Sequence, residues 1–152
     1  MSEEALKKFK KDYFLLLEAG FLAVNDADED SAIKLFRAAQ LLEPKATFPR
    51  VGFGYMHFCK LEIAQATDVF NEVLEKEPDN EVAKTLLGLC LSMNPSSTSK
   101  GEKLLESTEK SSHDTGVKKL AHTALDFVEK FVKKAPSPAE VQKPKRSPKG
   151  HK

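Results

Sequence analysis

The segment GFLAVNDADEDSAIKLFRAAQLLEPKATFPRVGFG, residues 20–54, holds one full period of a recurring pattern. It opens on Gly20, places Ala32 twelve residues on, Phe36 four after that and Pro44 eight after that, and reaches Gly54 after a period of 34. The next period repeats the order with Gly54, Ala66, Phe70 and Pro78, and Gly88 opens a third. Self-similarity at a fixed period marks a repeat architecture, in which each unit buries its apolar face against its neighbours. Glycine inside a helix costs about 1 kcal/mol against alanine. Gly20, Gly54 and Gly88 make sense where two helices approach closely, with Ala32 and Ala66 as small partners on the facing helix. Phe36 and Phe70 should project into the joint with the next unit. Pro44 and Pro78 end the second helices, because proline cannot continue a helix.

This order resembles the tetratricopeptide repeat, whose 34-residue unit carries small residues at positions 8 and 20, an aromatic at 24 and proline at 32. In that frame the units are 13–46, 47–80 and 81–114, and Ala39 adds a small residue at position 27 of the first. The resemblance implies an all-α superhelix of three helix-turn-helix units. Unit three keeps Gly88 but has Lys100, Leu104 and Ser112 where the others have Ala, Phe and Pro. Leu104 is expected to fill the aromatic's slot, and terminal repeats are often atypical. Ser99-Lys100-Gly101-Glu102 reads as a capping box that would start the second helix of this unit. Asp28 to Asp30 and Asp79 are further candidates for helix starts. Val117, Leu120, Ala121, Ala124, Phe127, Val128, Phe131 and Val132 recur at helical spacing, predicting a capping helix over 115–134 with Asp114 or Thr115 at its start. Residues 2–12 should extend the first helix, with Leu6 and Phe9 on its apolar side.

In the tetratricopeptide family the first helix of each unit lines the concave face through positions 2, 5, 9, 12 and 13. The resemblance places Phe14, Leu17, Phe21, Val24 and Asn25 there from unit one. Unit two supplies Phe48, Val51, Tyr55, Phe58 and Cys59, and unit three Val82, Thr85, Leu89, Ser92 and Met93, with Leu86 alongside. The surface is unusually apolar. Such a face is either an interaction site or core covered by a terminal helix of the chain. As a site it would hold an amphipathic helix or an extended apolar peptide, with Phe14, Phe21, Phe48, Tyr55 and Phe58 as anchors. Co-chaperones of this family that grip an acidic C-terminal peptide use Lys, Asn and Arg at positions occupied here by Leu17, Phe21, Gly52, Val82 and Leu86. None of these can hold a carboxylate.

The remaining chemistry argues against an enzyme. His57, His113, His122 and His151 show no metal spacing with Cys or carboxylates. Cys59 and Cys90 fall in first helices and read as small buried hydrophobes. His57 and Cys59 are two apart and do not face each other on a helix. No phosphate-binding loop or nucleophile elbow is present, and no cofactor is implied. Of the 152 residues, 24 are Lys or Arg and 23 are Asp or Glu, a net charge of +1 that gives no pull toward nucleic acid. No window is apolar enough to insert in a membrane, and the charged N-terminus has no signal-peptide region, so the expectation is a cytoplasmic protein. The charge is uneven. Residues 136–152 hold Lys143, Lys145, Arg146, Lys149 and Lys152 against Glu140 and four prolines, which reads as a disordered basic tail on a mildly acidic domain of residues 1–135. The tail is either a solvated extension or an electrostatic contact for an acidic partner.

A short chain with three such units and an apolar concave face resembles bacterial type III secretion chaperones, most closely the small chaperone of the needle subunit. That resemblance implies a bacterial cytoplasmic protein whose groove takes the amphipathic helix of a secreted, polymerising client. It also implies a small co-chaperone on the N-terminal helices. The alternatives are the translocator chaperone of the same system and a general tetratricopeptide scaffold or assembly adaptor.

Overall fold

The computed structural model describes residues 2–134; Met1 and residues 135–152, and with them the basic tail, lie outside the described residues. Among the described residues every regular element is helical. A short helix α1 (Glu3–Phe9) runs through a tight 3-10 turn (Lys10–Asp12) into α2 (Tyr13–Asn25). Then follow α3 (Glu29–Leu42), α4 (Phe48–Cys59), α5 (Ile63–Lys76), α6 (Glu81–Ser92), α7 (Thr98–Ser111) and α8 (Thr115–Phe127), the last continued by π-helical turns over Val128–Lys133. The helical path over residues 2–12 is thus tightened before α2, and Phe9 stays 44% exposed instead of joining the core.

Helices α2 and α3, α4 and α5, and α6 and α7 form intimate pairs, and each pair packs on the next. The even-numbered helices α2, α4, α6 and α8 also touch in sequence, so they make one layer, with α3, α5 and α7 behind it. Short loops fix this order, since a brief connection leaves consecutive helices antiparallel. Helices α3 and α5 both stop two residues before proline, at Leu42 and Lys76. Asp28 accepts from the Ser31 N–H at 3.0 Å to start α3, and Asp114 accepts from Val117 at 3.0 Å to start α8. The cap of α6 is Asn80 rather than Asp79, its side-chain oxygen accepting from Ala83 at 2.9 Å.

The core is built on the repeat. Phe36 is fully buried between two glycines: a Cβ on Gly20 or on Gly52 would stand 2.5 Å from its ring. Phe70, also fully buried, meets Gly54 in the same way at 2.5 Å. Ala32 and Ala66 are completely buried beside them. The ring therefore occupies the space a glycine leaves, and the helix-propensity cost of the glycine is offset by an aromatic buried whole.

The third joint is shifted by one residue. Gly88 faces Leu105, whose Cγ lies 2.9 Å from a Cβ built on the glycine, and Leu105 is fully buried while Leu104 is only half-buried. Leu105, not Leu104, thus takes the aromatic's slot, and buried Gly101 takes that of Ala32 and Ala66. The extra residue sits in the α6–α7 loop, residues 93–97, longer than its counterparts 26–28 and 60–62. Helix α7 accordingly begins at Thr98 with Ser97 before it, so Ser99 is helical and not a cap. The loop is pinned instead by Ser97 Oγ donating to the Leu91 carbonyl at 2.8 Å and Thr98 Oγ1 to that of Asn94 at 3.0 Å.

Candidate functional site

The inner layer carries the residues singled out in the sequence, and its neighbours sort them into three groups. Leu17, Val24, Val51 and Leu86 are buried between helices and form core, not surface. Thr85 and Ser92 are buried too, their hydroxyls satisfied by the carbonyls of Glu81 at 2.7 Å and Gly88 at 2.8 Å. Val82 is half-buried against the same core.

Phe21, Phe48 and Tyr55 form the second group. Their rings fill the face between α2 and α4: Phe21 lies 6.1 Å from Phe48 and 5.7 Å from Tyr55, and stacks edge-on to buried Phe36 at 5.3 Å. Aromatic pairs at these separations add to the stability of the fold. Tyr55 also donates its hydroxyl to the Asn25 side-chain oxygen at 2.8 Å. Burial, with the Cys59 thiol beside it, pushes the Tyr55 hydroxyl up to about 12. Phe14 stands apart from them, 72% exposed at the N-terminal end of α2.

The third group surrounds an open apolar pocket of about 380 Å³ between α4, α6 and α8. Phe58, Cys59, Leu89 and Met93 line it, as the repeat frame places them. Leu61 from the α4–α5 turn and Leu120, Thr123, Ala124 and Phe127 from α8 complete it. Thr123 carries the single hydroxyl among these side chains. Helix α8 and the turns after it bury Val117, Ala121, Ala124 and Val128, and a stripe through Leu120, Ala124 and Phe127 borders the pocket. It therefore walls the cavity without filling it. The α8 stripe was visible in the sequence as helical periodicity, but nothing local distinguished its two faces. Leu61 was not singled out, because it lies in a turn outside the helical positions that the repeat frame assigns to the groove.

One repeat position loses bulk toward the pocket. Phe21, Tyr55, Leu89 and Thr123 succeed one another at that position, one repeat period apart: a ring, a ring, a leucine and a threonine. The side chain that plugs the inner face shrinks along the stack. Cys59, which precedes Met93 by one full period, is exposed rather than buried, whereas Cys90 is buried and its thiol is pushed up to about 11 by that burial.

Charged groups cluster at the α4–α5 turn. Lys60 donates to Glu29 at 2.9 Å and pairs with Glu62 at 3.1 Å, while His57 Nδ1 lies 2.6 Å from Glu62. Hydrogen bonds from His57 and Lys60 lower the Glu62 carboxyl below its usual range, and those to Glu29 and Glu62 raise Lys60. Among the described residues no group of three His, Cys, Asp or Glu side chains could hold a metal ion, and no helix is long and apolar enough to cross a membrane. Comparison with family models, curated proteins and solved structures gives no match for this chain.

Proposed function

We propose that the chain is a tetratricopeptide-type chaperone that binds the apolar face of an amphipathic helix in the pocket between α4, α6 and α8. The single observation that carries this reading is the pocket itself, an open cavity of about 380 Å³ walled by Phe58, Leu89, Met93, Leu120 and Phe127. Pockets of this size and lining take apolar groups out of water, at about 25 cal/mol per Å². A helix is the occupant that fits a trough between helices, because side chains spaced three and four apart project from one face.

Taken with the sequence resemblance, the client is a secreted, polymerising subunit of a bacterial type III secretion system, the needle protein first and a translocator second. Covering the polymer-forming helix keeps the client monomeric in the cytoplasm until export. A small co-chaperone would cover the N-terminal end, where Phe9, Phe14, Leu15 and Leu22 are all exposed. A general scaffold that binds through its convex side and tail is the rival of another class. The test is to purify the tagged chain from its native cytosol with Met93→Asp and Phe127→Asp introduced together. The expected result is loss of a small polymerising protein from the eluate at unchanged helical circular dichroism. Retention of all partners by the folded double variant rules the pocket out.

A further inference from the structure

Two turns of the stack adopt a backbone that L-residues avoid. Ala27 has φ 58° and Leu61 has φ 60°, and they stand at equivalent repeat positions just past the ends of α2 and α4. Both close a helix end in the same way. The Asp28 N–H reaches the Ala23 carbonyl at 2.8 Å, and the Glu62 N–H reaches that of His57 at 2.9 Å. Glycine is the usual residue at such a helix end, since a Cβ in the left-handed region crowds the backbone. The first repeat answers with alanine, the smallest side chain that has a Cβ. The second carries a leucine whose side chain does little for the fold: Leu61 is 71% exposed.

We infer that Leu61 is a partner-contacting residue of the α4–α6–α8 pocket, kept at a strained turn because its side chain buries against the bound helix. Strain held at one residue is a pointer to a binding role when the surroundings over-determine it. Here they do. The flanking residues are tied down by the His57–Glu62 contact at 2.6 Å and the Lys60–Glu29 contact at 2.9 Å. Leu61 is thus presented on a fixed arm beside Phe58 and Phe127, with its surface facing water until a partner arrives. The inference rests on the reading of this pocket as a helix-binding site.

The test separates backbone from side chain by using the two equivalent turns. The probe is a fluorescein-labelled amphipathic peptide of five helical turns, with leucines at i, i+3, i+4 and i+7 and Glu and Lys elsewhere, titrated against the full chain by anisotropy. Leu61→Gly should raise Tm by about 2–4 °C through relief of the turn and weaken peptide binding by about tenfold to a hundredfold. Leu61→Asn, which also tolerates the left-handed backbone, should weaken binding to the same degree. Ala27→Gly should raise Tm similarly and leave binding unchanged. Wild-type affinity in Leu61→Gly overturns the role of Leu61 alone. Failure of the wild-type chain to bind the peptide, with Phe127→Asp indistinguishable from it, overturns the pocket reading and the role of Leu61 together.

Discussion

Between α2 and α4 the rings of Phe21, Phe48 and Tyr55 lie close together, with Phe21 5.7 Å from Tyr55 and 6.1 Å from Phe48, and close the inner face. Between α4, α6 and α8 the side chains of Phe58, Leu89, Met93, Leu120 and Phe127 surround about 380 Å³ of open space. The two halves share a backbone plan and a period. They differ at several repeat positions: the rings of Phe21 and Tyr55 give way to Leu89 and Thr123, and those of Phe14 and Phe48 to Val82 and Gly116, while Asn25 and Cys59 give way to the larger Met93 and Phe127. An apolar inner face is therefore not open everywhere. Where the side chains are large enough to meet, they pack on themselves and become core; where they fall short, the surface stays available.

The largest effect expected from this comparison lies beneath the closed half. Phe36→Ala leaves a cavity between Gly20 and Gly52 and should cost about 3–5 kcal/mol in chemical denaturation. A loss below about 1 kcal/mol would mean that the joint collapses around the gap and that the closed half is not held by its aromatic plug. A smaller effect is expected from making the open half resemble the closed one. Leu89→Phe restores a ring at the position of Phe21 and Tyr55. It should keep the fold and weaken the amphipathic peptide by roughly tenfold, about 1.4 kcal/mol, by occupying the pocket. Unchanged affinity would place the helix site elsewhere. The smallest effect is expected at the boundary. Tyr55→Phe removes the hydrogen bond to Asn25 but keeps the ring, so stability should fall by about 0.5–1.5 kcal/mol with peptide affinity unaltered. A clear loss of affinity there would extend the site across α4 into the closed half.

Much of the fold was legible because its determinants are local and periodic. The helix pairs, the prolines beyond α3 and α5 and the Asp114 cap follow from residue type and spacing, whereas Gly20 and Gly54, paired in the sequence with Ala32 and Ala66, meet the rings of Phe36 and Phe70 instead. The third unit was read one residue out of step because a fixed period cannot register an insertion. The loop over 93–97 absorbs it, so Leu105 rather than Leu104 reaches Gly88. The site was legible in part. Phe58, Cys59, Leu89 and Met93 were in the set, but so were Leu17, Val24, Val51 and Leu86, which are buried.

Residue type and spacing alone set the helical period, the phase of the first two joints and which faces are apolar, because propensity, spacing and the bulk of single side chains are properties of the chain. Which apolar residues stay accessible emerges with the packing of the helices, because accessibility depends on the neighbour across the gap. That neighbour is Phe36 or Phe48 for Phe21. For Phe58 and Met93 it is a helix, α8, that arrives from beyond the whole of α7 and stops short of closing the space.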